Sequence, residues 1–427
     1  MSKKLIIGLI IILSLAISTS IAISAVEKKK TDDLFRQVEL FSDALAIVQT
    51  DYVTETPSKD LIYGALKGMI SSLDPHSQFM DPETYNELKV DTEGKFGGLG
   101  MEITIKDGLL TIVTPIEDTP AWKAGLKAND RIVKINDDLT RDITLTDAVK
   151  KLRGRPGESV NLTILRESEK KLIDFKITRD MIKIKDIKDA RIITDGIGYV
   201  RLIEFRENTA HDLNSTLEKL KKEGMNAFIL DLRNNPGGLL DVAVAVTEKF
   251  IDKGKIVLST QGRIPNQNME FLSRSNNPIL DIPMVVLVNE GSASGSEIVA
   301  GCLQDYKRAL ILGVKSFGKG SVQTVIPLSD GSALRLTTSK YYTPLGREIH
   351  GKGVTPDIVV EEAKIEVTNK DEIKSDRPQE VFDELELKEK TKGNAKNEDL
   401  KKLQSDNQLM RAVDVLKAIK IYKGLKK

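Results

Sequence analysis

The chain has 427 residues, 40% hydrophobic and 30% charged, an ordinary globular composition in a length that needs more than one core, so about two to four domains are expected. Lys and Arg total 64 against 63 Asp and Glu, and a net charge of +1 offers no general attraction to nucleic acid. The one cysteine, Cys302, excludes an intrachain disulfide; three histidines (His76, His211, His350), with no HExxH or CxxC spacing, argue against a metal site, and no cofactor is expected.

At the amino terminus Lys3 and Lys4 precede an uncharged apolar run over residues 5–26. A positive segment before a hydrophobic one is the pattern of an export signal. This run is also long enough to span a bilayer. Its small-residue end (Ala22, Ser24, Ala25) resembles a cleavage site. Against the alternative of a buried soluble helix, residues 1–26 are read as an uncleaved anchor or a removed signal. Either reading places the rest of the chain outside the cytoplasm.

Residues 27–90 read as a helical region. Leu34, Val38, Leu40, Phe41, Ala44 and Val48 recur at helical spacing, and a second helical stretch over 61–73 is stopped by Asp74-Pro75. These small amphipathic helices need a surface, which a partner subunit or the C-terminal helix would provide. Residues 91–180 change to short strands, with a β-branched run over 109–116, alternating runs over 159–166 and 172–178, and one helix over 146–152.

Residues 181–361 repeat strand, turn and helix. A buried strand over 227–232 runs into Asn234-Asn235-Pro236-Gly237-Gly238 and a helix over 239–251. A second, over 284–288, runs into Gly291-Ser292-Ala293-Ser294-Gly295-Ser296 and a helix starting near Glu297. Such repeats predict an α/β core with its functional loops at strand ends. Residues 362–427 begin as a Lys- and Glu-rich linker or solvated helix, up to about 405. They end in an amphipathic helix carrying Leu409, Ala412, Val413, Val415, Leu416 and Ile419.

Three places carry chemistry. Serines among small residues just before a helix suit a nucleophile, because helix-start amides point at a developing oxyanion; a plain N-cap or flexible turn has the same look. Lys319 lies between glycines in Ser316-Phe317-Gly318-Lys319-Gly320-Ser321. A neutral lysine is a competent base for serine. Such a base must drop roughly three units from about 10.4, on the order of 4 kcal/mol supplied by desolvation. A solvated loop lysine is the bland alternative. Gly237-Gly238 lets a backbone amide approach a carbonyl closely, or simply makes a turn. His211 and His350 lack a GxSxG context, so a Ser–His–Asp arrangement is not favoured. Cys302 reads as a small buried helix residue.

Together these residues resemble the carboxyl-terminal processing peptidases, or tail-specific proteases. The likeness runs from about 74 to 360 through LDPHSQFM (73–80), FGGLGMEI (96–103), DTPAWKAGLKANDRIVKIND (118–137), DLRNNPGGLLD (231–241), VNEGSASGSEIVAGCLQD (288–305), GVKSFGKGSVQT (313–324) and LRLTTSKYYTPLGREIHGKGVTPDIVV (334–360), with a weaker echo at 406–416. The resemblance implies a crotonase-like α/β protease core, an inserted PDZ-type β-rich domain over 91–180, and helical N- and C-terminal regions. It makes Ser294 the nucleophile, Lys319 the base and Gln323 the residue that orients the lysine. Residues four apart on a strand face one side, so Lys319 and Gln323 are expected to converge. It places the oxyanion hole on the amides of Gly295, where many relatives have alanine, and of Gly238 in preference to Gly237. Gly97, Gly98, Leu99, Gly100 and Met101 resemble a PDZ carboxylate-binding loop beside which a peptide adds as a strand. Arg153, ending the PDZ helix, is placed to sense the bound tail; a solvated helix-end arginine is its plain reading. The expected partners are protein or peptide substrates with free C-termini and a second copy of the chain.

Two rival readings remain at this stage. One is an envelope PDZ adaptor on a silent protease core, against which Ser294, Lys319 and Gln323 argue. The other is a crotonase-type acyl-CoA enzyme, for which a PDZ segment has no use.

Overall fold

A computed structural model of the chain describes residues 33–116, 118–166, 169, 171–363 and 406–425. The expected export segment at 1–26 and nearly all of the expected linker, over 364–405, lie outside the described residues. Among the described residues no helix is long and apolar enough to cross a membrane. They form two compact units. One holds the described residues up to Asp81 with Pro327–Arg335, and the other holds Pro82–Ile326 with Leu336 onward.

In the first unit, residues 33–51 form one helix and Ser58–Ser71 a second, as the apolar spacing predicts. The stop at Asp74 is an Asx turn, in which its carboxylate accepts from the amides of His76 (2.7 Å) and Ser77 (2.8 Å). The strand Gln78–Met80 pairs antiparallel with Ala333, Leu334 and Arg335. Tyr63 packs its ring edge-on against Phe79 and donates its hydroxyl to Asp330. The first helix leaves large apolar side chains exposed, among them Leu34 (63%), Phe35 (68%) and Ile47 (60%).

The second unit begins with the β-rich domain. Its sheet takes the strands in the order Met101–Lys106, Leu109–Pro115, Arg131–Ile135, Ser159–Arg166 and Lys171–Thr178, all antiparallel. Ser159–Arg166 alternates because Val160, Leu162 and Ile164 point into a core shared with Leu110, Ile112 and Ile132. The helix Leu145–Leu152 covers that core with Ala148 and Leu152, and the Thr144 hydroxyl caps it by accepting from the Asp147 amide. One expectation fails here. Gly97 and Gly98 are not loop residues but lie in the strand Lys95–Gly98, paired with Asp180–Lys183. That pairing also carries the domain past residue 180.

The α/β core is a six-stranded sheet. Its order is Ile187–Thr194, Ile197–Leu202, Ala227–Asp231, Met284–Val288, Leu310–Gly313 and Ile358–Val359; the first pair is antiparallel and the rest parallel. Every residue of the two central strands is buried, so they read in sequence as continuous apolar runs. Phe228, Leu230, Val286 and Val288 face the helices Thr209–Lys222, Leu240–Thr247 and Gly295–Asp305. Ala227, Ile229, Val285 and Leu287 face Leu409, Ala412, Val413 and Leu416 of the helix Asn407–Leu425. This last helix therefore has a core within its own unit. Arg233 fastens its start, bonding Asp231 (2.6 Å), Asp406 (2.7 Å) and Gln408 (3.0 Å). The helix expected over 239–251 ends at Thr247. Phe250 and Ile251 are buried from a following turn, Phe250 stacking on Phe228 with ring centroids 5.6 Å apart.

Candidate active site

Because Ala227–Asp231 and Met284–Val288 are adjacent and parallel, their carboxyl ends open at one edge of the sheet, and the loops that follow meet there. Hydrogen bonds join these loops closely. Asn289 accepts from the Asn234 amide (2.8 Å), the Ser292 hydroxyl donates to the Leu232 carbonyl (2.8 Å), and the Asn235 carbonyl accepts from the Ala293 amide (3.0 Å) and the Ser296 hydroxyl (2.9 Å).

This arrangement separates the three serines. Ser292 and Ser296 are fully buried, with hydroxyls committed to backbone carbonyls. Ser294 is half-buried, adopts φ +52° and ψ −110°, and immediately precedes the helix Gly295–Asp305, yet its side chain makes no cap hydrogen bond. A side-chain-bearing residue in that region stores on the order of 1–3 kcal/mol, which the surrounding bonds must hold in place. The cap runs the other way, from the Ser294 amide to Glu297 Oε2 (2.9 Å).

The Asn-Pro-Gly-Gly turn lies directly against this serine. A methyl at Gly237 would fall 2.7 Å from Ser294 Cβ, and one at Gly238 2.2 Å from the Phe205 carbonyl oxygen. The turn thus admits no side chain at either position. The Gly237 amide is used by Asn235 Oδ1 (2.9 Å). Among the described residues, the amides of Gly238 and Gly295 have no acceptor. A methyl at Gly295 would lie 2.9 Å from the Phe205 ring, so a side chain there would require the ring to shift.

Lys319 is half-buried and lies just before the strand Ser321–Pro327 rather than on it. The strand argument for its convergence with Gln323 therefore does not apply; the Gln323 amide nitrogen donates to the Ser321 hydroxyl (2.9 Å). What fixes the lysine loop is Glu297, fully buried in the first turn of the serine helix. Its Oε1 accepts from the Ser316 hydroxyl (2.6 Å) and the Gly318 amide (2.7 Å), and its Oε2 accepts from the amides of Lys319 (2.8 Å) and Ser294 (2.9 Å). Burial pushes this carboxyl above the usual carboxylate range, and the four donors pull against that. Tyr341, buried beside it, donates its hydroxyl to the Lys319 carbonyl. Burial raises its phenol well above the ordinary value, the Glu297 charge adds to this, and a hydrogen bond with the Ser294 side chain opposes it. Cys302 is buried and its thiol is pushed up by burial, which fits its bland reading.

In the β-rich domain, a cavity of about 100 Å³ lies between the strand Met101–Lys106 and the helix Leu145–Leu152; Gly98, Leu99, Gly100, Met101 and Arg153 line it. Gly97 is spent on structure, its carbonyl accepting from the Gly154 amide (3.1 Å). The Arg153 guanidinium sits 4.6 Å from the centre of the Phe96 ring, so it is not simply a solvated helix end.

Sequence reasoning missed Glu297 and Tyr341 as parts of the site. Glu297 had a signal in Ser294-Gly295-Ser296-Glu297, the S-x-x-E pattern of a capping box. Tyr341 had none, because only the tertiary fold brings it there.

Comparison with known proteins agrees with this architecture. Residues 196–360 match the model of peptidase family S41, residues 111–166 that of a PDZ domain, and residues 14–84 that of the N-terminal domain of the activating protease CtpB. A carboxy-terminal-processing protease of Bartonella bacilliformis is 47% identical over 352 residues, covering 82% of this chain and 80% of that protein. A probable CtpA-like serine protease of Staphylococcus haemolyticus is 36% identical over 355 residues, covering 83% and 71%. The solved structure of a photosystem II D1 C-terminal processing protease is 30% identical, covers 75% of this chain and 92% of its own, and superposes with a TM-score of 0.45.

Proposed function

We propose, from the premise that this chain belongs to peptidase family S41 and is a serine peptidase of the carboxy-terminal-processing kind with a PDZ domain, that it cleaves by a Ser294–Lys319 dyad. The observation that carries this reading is the strained Ser294. Its hydroxyl is free of capping, two amides without acceptors adjoin it, and its amide shares one carboxylate oxygen with that of a half-buried lysine. In this mechanism neutral Lys319 removes the Ser294 proton as Oγ attacks the scissile carbonyl. The tetrahedral oxyanion is received by the Gly238 and Gly295 amides. The protonated lysine then returns the proton to the leaving amine, and water repeats the sequence on the acyl-enzyme. Gln323, whose amide nitrogen donates to the Ser321 hydroxyl at the start of the adjoining strand, is assigned the orienting of the lysine by resemblance alone. A silent adaptor would keep the PDZ groove but would not hydrolyse an unstructured protein. Incubation with such proteins and sequencing of the new ends separates the two readings.

Substrates are captured by their free carboxyl termini. Amides of the Leu99–Met101 segment suit a carboxylate, and Arg153 adds charge to the lining of the cavity. Charge-assisted hydrogen bonds of this kind contribute roughly 1.5–3 kcal/mol. Amidating a peptide substrate is therefore expected to weaken its capture by about one to two orders of magnitude at limiting concentration. Equal cleavage of matched acid and amide peptides by the full chain would remove carboxylate capture from the mechanism.

The charged, then apolar, amino-terminal run supports action outside the cytoplasm, anchored or secreted. The exposed apolar residues of the helix at 33–51 support a homodimer built on that helix. Cell fractionation followed by sedimentation of the recovered chain tests both. A cytoplasmic monomer across micromolar concentrations would refute them.

A further inference from the structure

We propose that Glu297 is a positioning residue that holds the serine loop and the lysine loop in mutual register, so that the chemical step depends on its carboxylate while substrate capture does not. This rests on the reading of Ser294 and Lys319 as nucleophile and base. The carboxylate is wholly buried, and each oxygen accepts two hydrogen bonds. Three of these donors are backbone amides, which cannot accept, and the fourth is the Ser316 hydroxyl, an arrangement that suits the ionised form and disfavours a proton or an amide NH2, most strictly at Oε2, where both partners are amides. Oε2 is the joint, because the amides of Ser294 (2.9 Å) and Lys319 (2.8 Å) converge on that one atom from two different loops. Oε1 extends the grip to Gly318 and Ser316, and the Ser316 hydroxyl in turn accepts from the Val354 amide (2.7 Å). The strained backbone of Ser294 and the entry to the lysine loop thus share one anchor. Tyr341 closes the circuit on the other side through the Lys319 carbonyl.

The change Glu297→Gln keeps the size of the side chain but turns an NH2 either toward the amides of Ser294 and Lys319 or toward the Gly318 amide and the Ser316 hydroxyl. Loss of register by about an ångström lowers a chemical step by about 10²-fold. The expected result is a kcat reduced by about two orders of magnitude with KM for a free-acid peptide unchanged. Labelling of Ser294 by a fluorophosphonate, followed on the folded, monodisperse protein, should slow by a similar factor. Glu297→Asp keeps the charge on a shorter arm and should give an intermediate kcat at unchanged KM. Wild-type kcat and labelling in Glu297→Gln would overturn the proposal. So would a rise in KM at unchanged kcat, or an aspartate variant no better than the glutamine one. If Glu297→Gln does not fold, the aspartate variant carries the test, and wild-type kcat in it is then the overturning result. A Ser294→Ala control separates the layers: activity in that control refutes the nucleophile itself, whereas an inactive control beside a fully active Glu297→Gln refutes only the role of Glu297.

Discussion

Ser294→Ala is expected to remove peptide-bond hydrolysis, by a factor on the order of 10⁶ in kcat, the scale seen when a serine nucleophile is deleted. The chain should remain folded. The Ser294 hydroxyl caps nothing in the helix it precedes, and the cap that does exist uses its backbone amide, which alanine retains. Alanine also meets the same backbone strain as serine, since both carry a Cβ, so the melting temperature should barely move. The neighbouring serines set the contrast. The Ser292 and Ser296 hydroxyls fasten the two loops to each other at Leu232 and Asn235, so their removal is a packing and hydrogen-bond loss of about 1–3 kcal/mol each. Peptide cleavage and fluorophosphonate labelling, read beside thermal unfolding, distinguish the two kinds of effect. A fully active Ser294→Ala would withdraw the assignment, and the two flanking serines would have to be reconsidered in spite of their burial.

Much of this was legible because local pattern and tertiary role coincide. The central strands are buried on both faces, so residues 227–232 and 284–288 stand out as apolar runs, and the turns that follow them carry the chemistry. Alternation over 159–166 was equally plain, one face of that strand being core. Where the sequence misled, the deciding contact lay far along the chain. Gly97 and Gly98 look like a loop until Asp180–Lys183 pairs with them. The stripe at 409–416 announces an apolar face without saying what covers it, and the cover is the far side of the core sheet. Phe250 and Ile251 keep helical spacing with the residues before them, but they reach the core from a turn. Lys319 and Gln323 have strand spacing, but the strand begins at Ser321. Glu297 was visible as a capping residue. Its second set of donors comes from the Ser316–Lys319 loop, which no local pattern connects to it.

Lys319 offers the sharper test of mechanism, because its loop is held by groups other than its side chain. The amides of Gly318 and Lys319 are held by Glu297, and the Lys319 carbonyl is held by Tyr341. Replacing the side chain therefore leaves the loop anchored, and lost activity reports on the amine rather than on collapse of the site. Lys319→Ala and Lys319→Arg are both expected to lower kcat by at least about 10²–10⁴-fold, the usual contribution of a positioned general base. Arginine is the informative change. It preserves positive charge and length, so a lysine needed only for electrostatics or packing would tolerate it. It cannot give up its proton at any usable pH, so a lysine that acts as the base would not. The pH profile supplies a second reading. A lysine base works only when neutral, so the wild-type rate should climb with pH until the amine is deprotonated, and that limb should vanish in Lys319→Ala. A small primary amine added to the alanine variant should restore part of the rate with the same upward slope, since it can carry the proton from solution. Normal turnover in Lys319→Arg, or a rising limb that persists in Lys319→Ala, would show that the proton of Ser294 goes elsewhere.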